Sequence, residues 1–408
     1  MIKIGDLNID KFYLGDKSDA KIYLGDVKVW PKEEAPETYP YAFQRVSRGG
    51  SAYTVDCNST SSNTVSSGDT RSGLGYFDID DSTKDITPVS VVFGDCCQSI
   101  SSGACSGWTY LSSVTISDNV TSLGERAFHD TYRVEHLKIG SGITQIKQPY
   151  TFSQTGRSGS TKPDLDLSAN VGLNVGLNVG KKSYTIFYNC YFNNMILPNN
   201  CTLTPQAFTF CSASTLLFGS GTIISNGTSS GSTFEYCNIS NIDLNGVTEI
   251  GECAFYKLSG CKSITIPPSV TYFGNNAFSG ASNLNSVTID YASNATLGSY
   301  QFPSLPITSL TIGSNPTKIS GRMFSNCTKL TTLVIPSNIS YIGTSAFYNC
   351  SGLTSITVHS VTPPTLDSRD SFDSTNNCPI YVPSESVDAY KAASSWVNYK
   401  SRIKAIPT

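Results

Sequence analysis

The chain has 408 residues, of which 14% are charged, with 28 Lys and Arg against 31 Asp and Glu. The resulting net charge of −3 disfavours a nucleic-acid binder, which would present a basic face to phosphates. The 22 Tyr and 19 Phe supply abundant core material and so exclude a disordered chain. No apolar run approaches the roughly 18 residues that span a bilayer, so no membrane insertion is predicted.

The first 39 residues differ in pattern from the rest of the chain. Gly-Asp recurs every ten residues, at positions 5–6, 15–16 and 25–26, between short apolar runs. This pattern predicts a β-hairpin module over residues 1–30. Residues 31–39 read as a stiff, charged linker. The start Met1-Ile2-Lys3 lacks a basic region followed by an apolar core, so we expect no secretory signal and no export by the general secretory route.

Residues 40–85 are rich in Ser, Thr and Gly, and they predict either a small β module or an N-terminal cap. An acidic cluster near their end would either hold a hard cation through oxygen ligands or form a solvated turn. The solvated turn is the favoured interpretation. The cluster consists of Asp78, Asp80, Asp81 and Asp85.

Residues 86–376 carry an internal repeat. An apolar triplet spaced i, i+3, i+5, such as Leu330, Leu333 and Ile335, is followed about 12 residues later by an aromatic residue. A period of about 23 residues predicts a leucine-rich-repeat solenoid of about twelve coils, each giving one short strand to a parallel sheet. The aromatic residues are expected to stack as a buried spine. They are Phe128, Phe152, Phe187, Phe208, Phe234, Phe255, Phe278, Phe302, Phe324, Phe347 and Phe372.

One stretch of the repeat, residues 153–183, departs from the period and separates Phe152 from Phe187 by 35 residues. It predicts an insertion. Insertions in repeat arrays map to loops, which favours a projecting loop or an irregular hairpin. The alternative is a recognition loop, because long loops in compact arrays are often functional. A smaller Ser/Gly-rich insertion is predicted at residues 225–233.

The amino-acid sequence of the repeat resembles the BspA-like, or TpLRR-type, leucine-rich repeats. Residues 335–350 match it most closely, with Ile-Pro-Ser-Asn-Ile-Ser-Tyr-Ile-Gly-Thr-Ser-Ala-Phe-Tyr-Asn-Cys. The ending over residues 377–408 is similar to the one common in that family. There Ser384 is a plausible N-cap, and Val387, Tyr390, Ala393 and Tyr399 form a helical apolar stripe. We therefore predict a C-terminal capping helix that covers the last Phe layer.

The short module at residues 1–30 resembles N-terminal segments of tail and other virion proteins from phages and prophages of gut Bacteroidales. The resemblance implies that the module docks the chain to a virion protein, which would be the first partner. Virions also deliver proteins outside the cell without a signal peptide, in agreement with the start of this chain.

The sequence offers few residues that could act in catalysis or bind a metal. Cysteines three residues after the spine Phe, such as Cys327 and Cys350, are expected to be buried reduced thiols, since 13 is an odd count. The three histidines, His129, His136 and His359, lie in different repeats and give no ligand set by spacing. We therefore predict no catalytic residues, no metal site and no cofactor.

The exposed positions of the predicted strands carry hydroxyl side chains. An uncharged hydroxyl ladder would hydrogen-bond glycans or protein backbone without desolvating a charge. Threonine is also simply a good strand residue, and propensity alone is the favoured explanation of the pattern. The candidate recognition surface consists of Thr265, Thr288, Thr311, Thr331, Thr332 and Thr357.

The leading functional hypothesis is a non-enzymatic phage virion protein, such as a tail or head fibre, that binds a host cell-surface protein or glycan. The alternative is a BspA-like adhesin at the bacterial cell surface. A third hypothesis, a glycan-cleaving enzyme, needs two carboxylates across a groove, which the hydroxyl ladder does not supply. A homo-oligomer is compatible with either binding role. No nucleic-acid partner is expected.

Overall fold

The computed structural model confirms a parallel β-solenoid, with about 13 turns and little helix. The chain divides into two compact units, Met1–Asn170 with Ile186–Asn193, and Val171–Thr185 with Asn194–Thr408. The sequence predicted a single array, and the division falls in the stretch where the period departs from about 23 residues. The described residues are 41–46, 52–57, 64–65, 87–93, 97–158, 161–176 and 185–407, so the predicted hairpin module, linker and acidic cluster lie outside them.

The first unit begins with an antiparallel edge. Its first strand pairs antiparallel with the second and with the fourth, and the fourth pairs in parallel with the sixth in the solenoid register. Part of residues 40–85 therefore extends the sheet of the first coil. The strands are β1 (Tyr41–Val46), β2 (Ala52–Cys57), β3 (Thr64–Val65), β4 (Thr87–Phe93), β5 (Ser99–Ile100), β6 (Ser113–Ile116), β7 (Ser122–Leu123), β8 (His136–Lys138), β9 (Gln145–Ile146), β10 (Leu165–Asp166) and β12 (Phe187–Tyr188).

The second unit holds most of the coils, and nearly every one contributes two short strands. Its early strands are β11 (Asn174–Val175), β13 (Asn194–Ile196), β14 (Thr202–Leu203), β15 (Phe208–Thr209), β16 (Ser212–Leu217), β17 (Thr222–Ile224), β18 (Phe234–Glu235), β19 (Asn238–Asp243), β20 (Val247–Ile250), β21 (Ser263–Ile266) and β22 (Tyr272–Phe273). The later ones are β23 (Ser286–Ile289), β24 (Thr296–Leu297), β25 (Ser309–Ile312), β26 (Lys318–Ile319), β27 (Thr332–Ile335), β28 (Tyr341–Ile342), β29 (Ser355–Val358), β30 (Thr365–Leu366), β31 (Ile380–Val382) and β32 (Ile403–Ala405).

The alternation of apolar and polar residues explains the strands. In β23, Val287 and Ile289 are buried while Ser286 and Thr288 are half-buried, because successive side chains point to opposite faces. The residue that follows the second strand of a coil is often glycine, for a steric reason. A Cβ at Gly274 would lie 2.5 Å from the backbone nitrogen of Glu252 in the preceding coil, so the coils stack this closely only without a side chain there.

The spine phenylalanines are fully buried and stack face to face within each unit. Phe128, Phe152 and Phe187 follow one another at ring-centroid distances of 5.1 and 5.2 Å. From Phe208 to Phe372 the successive distances run from 4.9 to 5.7 Å. Each buried ring contributes roughly 1.5–3 kcal/mol of apolar transfer free energy, so the spine contributes substantially to stability alongside the buried Leu, Ile and Val side chains.

The backbone on either side of the spine adopts an unusual conformation. Two residues after every spine Phe the chain has a positive φ, as at Asn326 (61°) and Lys257 (54°). Two residues before the Phe, positive φ also occurs in most coils, as at Tyr150 (54°). Non-glycine residues rarely adopt this region, so the hydrogen bonds between neighbouring coils and the stacked rings impose this conformation.

The position three residues after the spine Phe closes the turn with a weak donor. The Cys350 thiol donates to the Phe324 carbonyl at 3.2 Å. Where threonine takes this position, the hydroxyl donates to the spine Phe of its own coil, as from Thr375 Oγ1 to the Phe372 carbonyl at 2.7 Å. Thr155 Oγ1 also reaches the Phe128 carbonyl of the preceding coil, at 3.5 Å. The eleven cysteines whose side chains are described are all buried.

The predicted insertion 153–183 is wrong in its extent. Residues 165–175 carry the two short strands β10 and β11, and Leu165, Leu167 and Val175 are fully buried like core residues of other coils. The triplet was missed because β10 begins 13 residues after Phe152, whereas β8 begins 8 residues after Phe128.

The C-terminal cap contains the predicted helix, but the helix is short. Helix α1 covers Val387–Ala392 and lies between two 3₁₀ turns, Ser384–Ser386 and Trp396–Tyr399. Ser384 is not its N-cap, because the helix begins at Val387 and the N-cap position is Ser386. Ser384 lies in the preceding 3₁₀ turn, where its hydroxyl donates to the Glu385 carboxylate. The predicted stripe to Tyr399 is interrupted at Ser395, whose φ of 64° turns the chain and allows Trp396 to pack on Phe372 at 5.6 Å.

Candidate recognition surfaces

Three of the six predicted threonines align in one row. Thr265, Thr288 and Thr311 face one another across the parallel strands β21, β23 and β25. Thr265 and Thr311 are exposed and Thr288 is half-buried. Parallel strands lie about 4.8 Å apart, so the row repeats a neutral hydroxyl at that interval. A second row, two residues earlier on the same strands, consists of Ser263, Ser286 and Ser309.

The other three predicted threonines do not continue that row. Strands β25 and β27 belong to different sheets. Beyond this break, Thr332 pairs with Ser355, and Thr357 pairs with Val334, an apolar side chain that is 49% exposed. Thr331 precedes β27, and its carbonyl accepts the Thr354 hydroxyl at 2.9 Å. The apolar triplet predicts this register, because Val334 and Thr357, like the residues of the first row, each lie one position before the last member of their triplet. It does not predict that the pairing breaks between β25 and β27.

A small groove of about 260 Å³ lies at one end of the threonine row, between β19 and β21. These two strands belong to different sheets. Thr265 and Ser263 line it from one side, and Asp243 and Asn245 from the other. The Asp243 carboxylate accepts the Asn245 backbone N–H at 2.9 Å, which fixes its position. The neutral hydroxyl rows therefore end beside a carboxylate acceptor.

An aromatic and cationic cluster, which the sequence analysis missed, lies on the turns near the spine. The rings of Phe210 and Tyr236 stack at 4.9 Å, and they are 43% and 39% exposed. Lys257 Nζ lies 4.8 Å from the Tyr236 ring centre and 5.1 Å from that of Tyr256. In the sequence, an aromatic or cationic residue two positions after a spine Phe could have indicated this cluster.

The same cluster contains two groups with altered proton affinity. The Lys257 ammonium donates to Tyr236 Oη at 2.7 Å, and this hydrogen bond raises the pKa of Lys257. Burial raises the pKa of the Glu235 carboxyl, against a hydrogen bond from the Ser232 backbone and the attraction of Lys257.

The part of the chain that the structure describes has few side chains arranged for metal binding or nucleophilic attack. No group of three or more His, Cys, Asp or Glu there is arranged to hold a metal ion. His136 and His359 are exposed, and His129 lies 3.0 Å from the Asp130 carboxylate. Burial raises the pKa of Cys327 to about 12, so its thiol stays protonated and is a poor nucleophile. Among residues 41–407 that are described, no helix has the length and hydropathy needed to cross a membrane.

The family of the chain follows from its repeats. The profile of the BspA type leucine rich repeat region matches in six copies, over residues 82–160, 181–302 and 248–379. These ranges cover more than half of the 408 residues. The chain belongs to the BspA-type leucine-rich repeat family. The spine and the paired short strands described above are thus the coils of a BspA-type repeat region.

Three solved structures are similar to this BspA-type chain. A leucine rich cell surface protein from Faecalibacterium prausnitzii has 16% identity and a TM-score of 0.31, covering 76% of this chain and 81% of its own. A leucine-rich repeat protein from Bacteroides ovatus has 19% identity and a TM-score of 0.34, covering 79% and 95%. The pneumococcal vaccine antigen PcpA has 13% identity and a TM-score of 0.31, covering 76% and 77%. No curated protein sequence matches.

The virion hypothesis gains no support from these comparisons. The resemblance that carries it concerns residues 1–30, which lie outside the described residues, whereas the family match begins at residue 82. Membership of the BspA-type repeat family favours the alternative hypothesis of an adhesin instead. The docking partner on a virion remains a prediction from the sequence.

Proposed function

We propose that this BspA-type protein is a non-enzymatic, adhesin-like recognition protein that acts at a bacterial cell surface. Its contact surface is the neutral hydroxyl face of β21, β23 and β25, and its partner is a protein or glycan on another cell or on its matrix. The observation that carries the proposal is the in-register row of Thr265, Thr288 and Thr311 beside the matching serine row.

The physical basis is the low cost of covering this face. A hydroxyl gives up less hydration than a charged group when a partner covers it, and each one supplies both a donor and an acceptor. The parallel register repeats these groups at a fixed interval on a scaffold held by the Phe spine. A partner with repeated polar groups, such as a glycan chain or an extended backbone, can therefore make several bonds to a rigid surface.

The site favours binding over catalysis. General acid–base hydrolysis of a glycan needs two carboxylates on opposite sides of a bound sugar ring. Asp243 is the only carboxylate among the residues that line the groove beside Thr265. The hydroxyl face itself offers hydrogen bonds but no strong base.

Cell binding by the purified full chain tests the proposal. Fluorescently labelled protein is incubated with host cells and with co-resident bacteria, and bound protein is measured by flow cytometry. The triple variant Thr265→Lys, Thr288→Lys, Thr311→Lys should lose at least about 90% of binding, since three buried charges without partners cost several kcal/mol.

A charge-matched control separates surface identity from added charge. Thr248→Lys, Thr271→Lys and Thr365→Lys introduce the same three charges away from that face, in β20, immediately before β22 and in β30. This control should bind like the native protein. Equal binding by both triple variants and the native protein would contradict the proposed contact surface, and release of new reducing ends from host polysaccharide would contradict the non-enzymatic role.

A further inference from the structure

The second strands of the coils in the second unit lose their pairing at one place. Among the described second strands from β11 to β30, neighbours are hydrogen-bonded except β24 and β26, which belong to different sheets. Coil length does not account for the break. Strands β22 and β24 start 24 residues apart and are paired, and β14 and β17 start 20 residues apart and are also paired. The first strands break at the same level, because β25 and β27 also belong to different sheets.

Side chains hold the two coils together where the ladder is missing. The Tyr291 hydroxyl donates to the Lys318 carbonyl, and Thr317 Oγ1 donates to the Ser293 carbonyl at 2.9 Å. Burial raises the pKa of Tyr291, so its phenol remains a donor. The spine is continuous at this level, because Phe302 stacks on both of its neighbours at 5.1 and 5.5 Å. The opening is therefore confined to the strand side and is fixed in place.

The unpaired strands border a groove of about 550 Å³ that is open to solvent. This volume lies within the range of roughly 300–1,000 Å³ that is usual for small-ligand sites. The backbone of residues 294–299 forms one wall and that of residues 318–321 the other. Five side chains with polar groups also line the groove, and they are Asn294, Lys318, Tyr341, Thr344 and Asp367.

These side chains form a preorganised polar lining. The Asp367 carboxylate accepts the Thr344 hydroxyl at 2.6 Å and also a hydrogen bond from Tyr341, and these bonds lower the pKa of Asp367. A carboxylate has about four acceptor positions, so acceptor capacity is left for a ligand. Among the described residues, the side chains of Asn294 and Lys318 make no hydrogen bond to protein, so their donors are also available.

We propose that the groove between β24 and β26 is a binding site for a neutral oligosaccharide. Its lining offers an amide, a phenol, an ammonium and a carboxylate, which match the alternating donors and acceptors of sugar hydroxyls. One positive and one negative side chain balance each other, so the groove does not favour an acidic or a basic ligand. The site lies on the second strands, apart from the threonine row, and it does not depend on the proposed function.

Calorimetric titration of the full chain with neutral trisaccharides tests the site. Maltotriose, cellotriose, mannotriose and chitotriose serve as probes, and saturation-transfer NMR detects weak binding. At least one should bind, and both Asp367→Ala and Asn294→Ala should weaken it by about tenfold or more, because each removes hydrogen bonds to the ligand. The matched controls Asp388→Ala and Asn283→Ala change exposed residues outside the groove and should leave binding unchanged.

Three outcomes would overturn the proposal. They are failure of every neutral trisaccharide to bind, equal binding by the groove variants and the native chain, and tighter binding of a uronic acid trimer than of its neutral counterpart. Melting curves of each variant establish that it is folded. The triple lysine variant of the threonine row should bind the trisaccharide normally, so failure at one surface is distinguishable from failure at the other.

Discussion

The backbone N–H of Phe372 donates to the hydroxyl of Tyr399 at 3.0 Å, and the two rings meet edge to face at 5.8 Å. The last spine residue thus finds in the cap the two contacts that a further coil would otherwise supply, a backbone acceptor and an aromatic neighbour. Arg402 completes the arrangement by donating to the Cys378 and Phe372 carbonyls at 2.8 and 3.2 Å.

The Tyr399→Phe variant tests this cap. It keeps the ring but leaves the buried Phe372 N–H without its acceptor, so the free energy of unfolding should fall by about 1–3 kcal/mol. Urea denaturation followed by circular dichroism measures the change. Tyr348→Phe removes a hydroxyl from a side chain that is 42% exposed, and it should change stability by less than about 0.5 kcal/mol. Equal effects would contradict the capping role.

Two Phe→Ala variants distinguish the spine from the surface. Phe278 is fully buried between Phe255 and Phe302, so Phe278→Ala should reduce the free energy of unfolding by about 3–5 kcal/mol. Phe210 is 43% exposed, and Phe210→Ala should cost less than about 1 kcal/mol. Thermal melting of both variants provides the comparison. A small loss at Phe278 would show that the ring stack contributes little to stability.

The buried Glu235 should make stability depend on pH. Its folded-state pKa is raised, so its contribution to stability is full below the ordinary value of 4.5 and is lost as pH rises through the folded pKa. The native chain should therefore lose stability relative to Glu235→Gln between about pH 4 and pH 7. Denaturation of both proteins at several pH values measures this difference. Glu385→Gln, at an exposed glutamate in the cap, should show no such trend.

The Cys350 position should prefer a donor over an equal-sized apolar side chain. Cys350→Thr keeps a donor for the Phe324 carbonyl, as Thr155 does for the Phe128 carbonyl of the preceding coil, whereas Cys350→Val removes it. Threonine and valine have nearly the same volume, so packing effects largely cancel. The threonine variant should be more stable than the valine variant by about 1 kcal/mol in urea denaturation. A more stable valine variant would assign the position to packing alone.

The solenoid was predictable because one periodic pattern, the triplet and the Phe, repeats in most coils. Local departures from that pattern were not predictable from the sequence. The triplet aligns Thr357 with Val334, but it does not indicate that β25 and β27 are unpaired, which ends the threonine row at Thr311. The groove at Lys318 lies where β24 and β26 are unpaired, and the period does not mark this level, because the two coil lengths there lie within the scatter of the other coils. Tyr150 and Lys257 have left-handed backbones without the Gly or Asn that usually signals them.

The left-handed turns beside the spine have a consequence for how such a protein changes over generations. At the position two residues after the spine Phe, the fold accepts an acid, an amide, an aromatic ring, a cation, a hydroxyl or a glycine, as at Asp130, Gln154, Tyr236, Lys257, Ser304 and Gly280. The neighbouring coils fix the backbone there, so the side chain is not needed to shape it. Mutation can therefore exchange what the outer turns present to the surroundings, coil by coil, while the inherited framework stays the same.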